Sequence, residues 1–391
     1  MTKKLCEILS PTSSSRYRGI FEPFSNRFRT VFESIILGRS IKKCAINLRI
    51  PKKSTTFAAK LAFGYAEALK KIRIMQKKLV TLIACLFSLG AFAVETYLFA
   101  EKDTARLYLD IHRPSAGADT LYEGLRKPAI LYVFGGGFVK GARNEPYVLR
   151  WFRMLNDAGY GVVAIDYRLG MKGYKIGNGL IGAAKAMDRF MLSQQMGVED
   201  VFSAVSYLAQ HPELGIDTRN LVIAGSSAGA IISLASTHAI SCGETAGLPD
   251  GFRFRGVMSF AGGIISRRGA PSFPTDPGAV LLLHGTCDKA VAYKQFGDGR
   301  RGIWGSSSIA KTMQKKGQNY RIYRFEERAH DVAAYMCQLF RLEMDFLEKN
   351  VIQGIPCRVD ALVNDPSLPV MKSWSTITVE DMYSGDNSLP D

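Results

Sequence analysis

The stretch Asn220-Leu221-Val222-Ile223-Ala224-Gly225-Ser226-Ser227-Ala228-Gly229-Ala230-Ile231-Ile232 changes character in its middle. Asn220 to Ala224 is a short apolar run of the kind that forms a buried strand, and the residues through Ile231 and Ile232 continue as a helix. Between them lies Gly-x-Ser-x-Gly, with Ser227 at its centre. A strand that becomes a helix within a few residues must turn sharply. Small flanking residues let the backbone close around that turn and lift the serine side chain clear of the sheet. The five-residue pattern alone means little in a chain with 37 glycines, and its place between strand and helix is what matters. The competing reading is a glycine-rich turn with a capping serine.

Strand and helix signals alternate on both sides of this turn. Residues 96–101 and 106–112 alternate as two early strands around a turn at Lys102 and Asp103. Residues 129–134 and 161–167 read as buried strands, with a helix over 145–158 between them. The amphipathic segment 181–210 holds one broken helix or two. Beyond the serine, strands are expected at 255–260, 279–284 and 320–325, with helices near 307–316 and 332–350. Strands separated by helices of this length imply an α/β protein whose mostly parallel sheet is covered by helices on both faces. The catalytic domain is expected over 94–358. Residues 359–391, rich in Asp, Ser, Asn and Pro, read as a loosely packed or disordered tail.

A serine hydroxyl needs a base to act as a nucleophile at neutral pH. Of the five histidines, His112 and His211 precede the serine, His238 lies about 16 Å along the following helix, and His284 ends a strand. His330 follows the predicted strand 320–325. It is the histidine that comes after a suitable acid, as the order Ser, Asp or Glu, His requires. That acid is expected to be Asp288, just past the strand 279–284, with Asp276 and Asp298 as fallbacks. The buried strand 129–134 runs into Gly135-Gly136-Gly137, whose bare backbone can turn N–H groups toward a developing oxyanion. Gly136, Gly137 and Ala228 are the expected donors.

Phe134-Gly135-Gly136-Gly137-Phe138, Asp166-Tyr167-Arg168-Leu169, the Gly225–Gly229 turn, His284-Gly285-x-x-Asp288 and His330 together resemble the α/β-hydrolase superfamily. Within it they look like the carboxylesterases and lipases of the H-G-G-G type. The similarity spans about residues 105–350. One departure is Phe134, which stands where that group usually has histidine. This leaves open the subfamily and the hydrogen bonds that hold the glycine loop.

The resemblance implies the α/β-hydrolase fold and a serine carboxylesterase working through an acyl-enzyme, with no metal or organic cofactor. Ser227 would attack, His330 would carry the proton and Asp288 would orient His330. The segment 169–199 could form a small partial cover through Met171, Tyr174, Ile176, Phe190 and Met191, although such spacing more often marks core. An open site would favour small acyl groups or polysaccharide-borne acetyl or feruloyl esters. The alternatives are a lipase or peptidase on the same fold, or a secreted binding protein that keeps the scaffold without the chemistry.

The net charge of +16 suggests nucleic acid until it is located. Residues 1–74 hold 16 Lys/Arg against 4 Asp/Glu, whereas residues 94–391 hold 33 against 31. The domain is therefore close to neutral, and no nucleic-acid partner is expected. Met75-Gln76-Lys77-Lys78, the apolar run Leu79–Gly90 and Ala91-Phe92-Ala93 form the three parts of a secretory signal peptide cleaved after Ala93. The expected location is secreted or periplasmic, with no stable membrane span in the mature form. Residues 1–74 are then a basic extension from a misassigned start. A targeting peptide, or a disordered extension before a signal anchor, are its rivals. Leu82-Ile83-Ala84-Cys85 matches a lipoprotein box too close to Lys78 to serve as one. Cys242, Cys287, Cys337 and Cys357 remain after cleavage. They allow three pairings, and no Cys/His cluster has metal-ligand spacing.

Overall fold

The structure is a computed structural model, and it describes residues 94–103 and 105–370 and, singly, Met75 and Lys78. The chain divides into two units, Met1–Ile83 and Ala84–Asp391, and the elements below belong to the second. The basic extension, most of the expected signal peptide and residues 371–391 lie outside the described residues.

The elements in chain order begin with β1 (Glu95–Lys102), β2 (Ala105–His112), the hairpin β3 (Leu121–Tyr122) and β4 (Leu125–Arg126), and β5 (Ala129–Val133). Next come α1 (Pro146–Asp157), β6 (Val162–Ile165), α2 (Gly179–Gln210), β7 (Leu221–Ser226) and α3 (Ala228–Ser241). Then follow β8 (Gly256–Phe260), β9 (Gly263–Ser266), β10 (Ala279–Gly285), β11 (Gln295–Gly297) and β12 (Gly302–Gly305). The last are α4 (Ser306–Lys315), β13 (Tyr320–Phe325), α5 (Phe340–Phe346) and β14 (Arg358–Val363). Nine strands form one sheet in the order β1-β2-β6-β5-β7-β8-β10-β13-β14. The first two pairings are antiparallel, and every pairing from β6 to β14 is parallel. This is the α/β-hydrolase fold.

Its central strands are apolar on both faces because both faces are covered. Ile130 to Val133 and Leu221 to Ala224 have essentially no exposed surface. The chain steps from β5 to β6 in one direction and from β6 across to β7 in the other. Right-handed crossovers therefore put α1 and α2 on opposite faces of the sheet. Trp151 of α1 donates to Glu343 of α5 at 2.6 Å, so α5 shares the face of α1. On the other face α2 packs against α3, and a Cβ on Gly197 of α2 would lie only 2.5 Å from Ile232 Cδ1 of α3. The reversal of direction also places β5 and β7 side by side. Open α/β sheets bind ligands at the carboxyl ends of such a pair.

Several expectations need correction. The segment 181–210 is one unbroken helix that starts at Gly179. No helix runs over 332–350: His330–Ala334 is a 3-10 turn, α5 starts at Phe340, and Leu347–Ile352 widens into a π turn. Val332, Tyr335, Met336 and Leu339 have helical spacing because they all face the core. The boundary expected after residue 358 falls inside β14, which pairs in register with β13 and closes the sheet edge. In the expected cover, Met171 is fully buried, while Tyr174, Phe190 and Met191 pack partly buried against the core. The small sheet β11-β12-β9 gave no periodic signal, since its strands are three or four residues long.

Candidate active site

Ser227 stands between β7 and α3 with φ 52° and ψ −117°, a backbone that a residue with a Cβ adopts only under constraint. Its N–H donates to the Phe260 carbonyl at 2.9 Å, and its own carbonyl accepts from Ile231 N–H at 2.9 Å. The flanking glycines are fixed by close approach of backbone to backbone. A Cβ on Gly225 would stand 2.3 Å from the Gly229 carbonyl oxygen, and one on Gly229 would stand 2.0 Å from that of Val133. The second contact sets the start of α3 against the end of β5. Ser226 Oγ donates to the Ala333 carbonyl at 2.7 Å, which ties this turn to the loop carrying His330.

His330 Nε2 lies 2.8 Å from Ser227 Oγ, and His330 Nδ1 lies 2.8 Å from Asp288 Oδ2. All three side chains are buried; Ser227 is 3% exposed. Asp288 has no proton to give, so Nδ1 donates to it and Nε2 is left to accept from the serine hydroxyl. The other carboxylate oxygen, Oδ1, accepts from the N–H groups of Ala290 and Val291, each at 2.9 Å. Burial raises the Asp288 pKa, but the His330 charge and hydrogen bonds from His284 and His330 outweigh it and hold the group well below the usual carboxylate range. The loops are fastened together as well. Cys287 N–H donates to the Arg328 carbonyl at 2.9 Å, and a Cβ on Gly285 would lie 2.2 Å from the Ala329 carbonyl oxygen.

The glycine loop after β5 lies against this group. A Cβ on Gly135 would be 3.4 Å from Ser227 Cβ. Gly136 (φ 111°) and Gly137 (φ 62°) occupy conformations that favour glycine, and the Gly136 carbonyl accepts from Val139 and Lys140. Ala228 is the first residue of α3, where a backbone N–H has no carbonyl one turn earlier to bond. In place of the usual histidine, the Phe134 ring stacks on Tyr167 with centroids 4.4 Å apart. Tyr167 OH donates to the Phe134 carbonyl at 3.1 Å. The tyrosine of the Asp166–Leu169 motif thus holds the loop. Its neighbours brace the segment: Asp166 binds Arg143 at 2.7 Å, and the fully buried Asp200 binds both Lys102 and Arg168.

All six residues selected from the sequence are therefore accounted for. Ser227, His330 and Asp288 meet in one hydrogen-bonded chain, with Ala228 next to the serine and Gly136 and Gly137 in the adjoining loop. The remaining candidates lie elsewhere. Asp276 faces Arg253, Asp298 caps the N–H groups of Arg300 and Arg301, and His112, His211 and His238 rest on Phe152, Tyr207 and Phe273. His284 was set aside as a strand end, yet its Nε2 lies 3.2 Å from Asp288 Oδ2 and 3.1 Å from the Val291 carbonyl. Two acceptors at Nε2 require a proton there, and Nδ1 lies 2.8 Å from Ser306 Oγ, whose hydroxyl also reaches the Gly262 carbonyl at 3.1 Å. The four cysteines among the described residues are free thiols. A serine hydroxyl hydrogen-bonded to an imidazole that is oriented by an ionised carboxylate can lose its proton as it attacks an electrophile.

No family model matches the chain. Over 140 residues, 36% of this chain, it is 26% identical to secreted lipase 5 of Gibberella zeae, of which the match spans only 25%. Among solved structures it is similar to a thermophilic esterase of the planctomycete Thermogutta terrifontis. The identity is 21% and the TM-score 0.45, covering 66% of this chain and 93% of the esterase. It is also similar to a puromycin-hydrolysing peptidase of Mycobacterium tuberculosis, at 19% identity and TM-score 0.43, covering 70% of this chain and 42% of the peptidase. Likenesses this distant carry no argument about chemistry, which rests on the geometry of the site itself.

Proposed function

We propose that this chain is a serine carboxylic-ester hydrolase acting through an acyl-enzyme. The observation that carries the reading is the continuous hydrogen-bonded chain Ser227–His330–Asp288 on a strained strand-to-helix turn. Ser227 Oγ attacks the ester carbonyl carbon while its proton passes to His330 Nε2, and Asp288 stabilises the resulting imidazolium. The carbonyl oxygen takes the negative charge and is met by the N–H groups of Gly136, Gly137 and Ala228. As the tetrahedral intermediate collapses, the carbon–oxygen bond to the alcohol breaks and His330 returns the proton to the leaving oxygen. Water, deprotonated by the same histidine, then releases the acid and restores Ser227.

The substrate class we favour is small acyl esters, including acetyl or feruloyl groups borne on polysaccharide. Burial of Ser227 supports a narrow approach to the nucleophile. A lipase is the second reading. It is favoured by Leu180 and Ile181, which are 90% and 75% exposed in the first turn of α2. We further propose secretion through Met75–Ala93. Mass spectrometry of native material should find a mature N-terminus at Val94, and peptides from residues 1–74 would contradict the misassigned start.

The test is hydrolysis of p-nitrophenyl acetate, butyrate and octanoate by the chain from Val94 onward, beside Ser227→Ala. The expected profile is turnover that is greatest on acetate or butyrate and abolished in the variant. Preference for octanoate would favour the lipase. A folded protein with no turnover on any of the three would overturn the hydrolase reading.

A further inference from the structure

The strands β8, β10 and β13 run parallel and in register, so Gly256, Ala279 and Tyr320 begin them at one edge of the sheet. Ser227, Asp288 and His330 follow the other ends. At the edge away from the serine lies a cavity of about 280 Å³, closed on one side by the segment Gly354–Cys357 that leads into β14. Three arginines line it, Arg253, Arg255 and Arg321, against a single acidic lining residue, Asp276.

These arginines are only partly used. Arg321 is 93% buried by side chain and pairs with Asp345 through Nη1, while its Nε is buried without a partner. Arg255 Nη2 donates to the carbonyl of Val351, another lining residue, at 2.8 Å. Arg253 reaches Asp276 only at 3.8 Å. Each guanidinium has five donors in a planar fork, so most of the donors are unspent among the described residues. Asn350 adds one opposite feature. Its Nδ2 donates to the Ile355 carbonyl at 2.7 Å, which fixes the amide and leaves the buried Oδ1 with no donor. The cavity therefore offers many cationic donors, one orphaned acceptor, and apolar wall from Phe254 and Phe346.

We propose that this cavity is a second binding site, distinct from the Ser227 site, for a small phosphomonoester that also carries a hydroxyl group. A phosphomonoester near neutral pH bears about −1.5 to −2 charges. It matches guanidinium forks in charge and planar geometry, and its hydroxyl supplies the donor that Asn350 Oδ1 lacks. The volume admits the phosphate together with a short polyol but not a polymer.

The test uses the full chain with glycerol 3-phosphate as the probe and sodium chloride at equal ionic strength as the control. Titration calorimetry should show one saturable site, weakened at least about tenfold in Arg253→Gln/Arg255→Gln. Both of those side chains are exposed, and the variant gives up only the bond from Arg255 to the Val351 carbonyl and the long Arg253–Asp276 pair, so it should remain folded with at most a small fall in melting temperature. An independent reading comes from Cys357, which lines the cavity. In wild type, glycerol 3-phosphate should slow its alkylation several-fold while leaving the exposed Cys242 and Cys287 unchanged. The proposal is overturned by absence of saturable binding, by equal binding to the double variant, or by protection that does not single out Cys357.

Discussion

Tyr167→Phe removes one hydroxyl and leaves the ring, so it isolates the bond that holds the glycine loop. The lost interactions are the 3.1 Å hydrogen bond to the Phe134 carbonyl and the weaker 3.5 Å contact of the same hydroxyl with the Gly135 carbonyl. A buried carbonyl left unpaired costs about 1–3 kcal/mol. The stacking of Phe134 on the ring, worth about 0.5–1.5 kcal/mol in such pairs, survives the change. If the loop must be ordered only when its N–H groups meet the oxyanion, the loss falls on the transition state. At about 1.4 kcal/mol per tenfold, kcat should drop about 5- to 140-fold with KM nearly unchanged. Complete loss of an oxyanion donor, about 10²–10³-fold, sets the upper limit. The assay is steady-state hydrolysis of p-nitrophenyl acetate, paired with inhibition by a trifluoromethyl ketone. Affinity for this tetrahedral-intermediate mimic should weaken in parallel with kcat. A lower melting temperature with kcat and inhibitor affinity unchanged would refute the positioning role and leave Tyr167 as packing alone.

Three further outcomes follow from contacts elsewhere. Gly229→Ala places a Cβ 2.0 Å from the Val133 carbonyl oxygen, and two backbones cannot both yield. Thermal unfolding should fall by several degrees and turnover should vanish, whereas Gly161→Ala, whose nearest neighbour is 3.8 Å away, should behave as wild type. Asp288→Asn should lower kcat about 10³–10⁴-fold without unfolding the protein, because the amide stabilises the wrong tautomer of His330. Glu343 is fully buried, and burial holds its carboxyl well above the ordinary pKa of 4.5 despite the bond from Trp151. The folded state then keeps a proton that the unfolded state releases, so stability falls as pH rises above about 4.5, by up to about 1.4 kcal/mol per unit. Glu343→Gln should flatten the decline of melting temperature between about pH 5 and 8. An unchanged slope would place the cause elsewhere.

What could be read from the sequence was what is decided locally. Gly225 and Gly229 are glycines because backbone meets backbone there, so the requirement is written at the positions themselves. Asp288 and His330 were reached through strand ends and chain order, since loops at one edge of a parallel sheet converge on the same place. The roles of Tyr167 and His284 depend on partners more than 30 residues away and four residues ahead, in contacts that carry no periodic mark. β14 was missed because no residue of this edge strand is fully buried, and its Asp360 is held by Arg324 across the pair. The long helix α2 looked broken because it contains Gly182 and Gly197. There the small residues serve close packing, against the Gly177 carbonyl and Ile232 respectively.

The central claim is that Ser227 is an activated nucleophile. A fluorophosphonate probe reacts covalently with a serine hydroxyl that has a base to take its proton and ignores an ordinary one. The direct measurement is labelling of the purified chain followed by peptide mass mapping. The account predicts one adduct, on Ser227, formed more slowly in His330→Ala and absent in Ser227→Ala. A folded protein that takes up no probe, or takes it up at another residue, would contradict it.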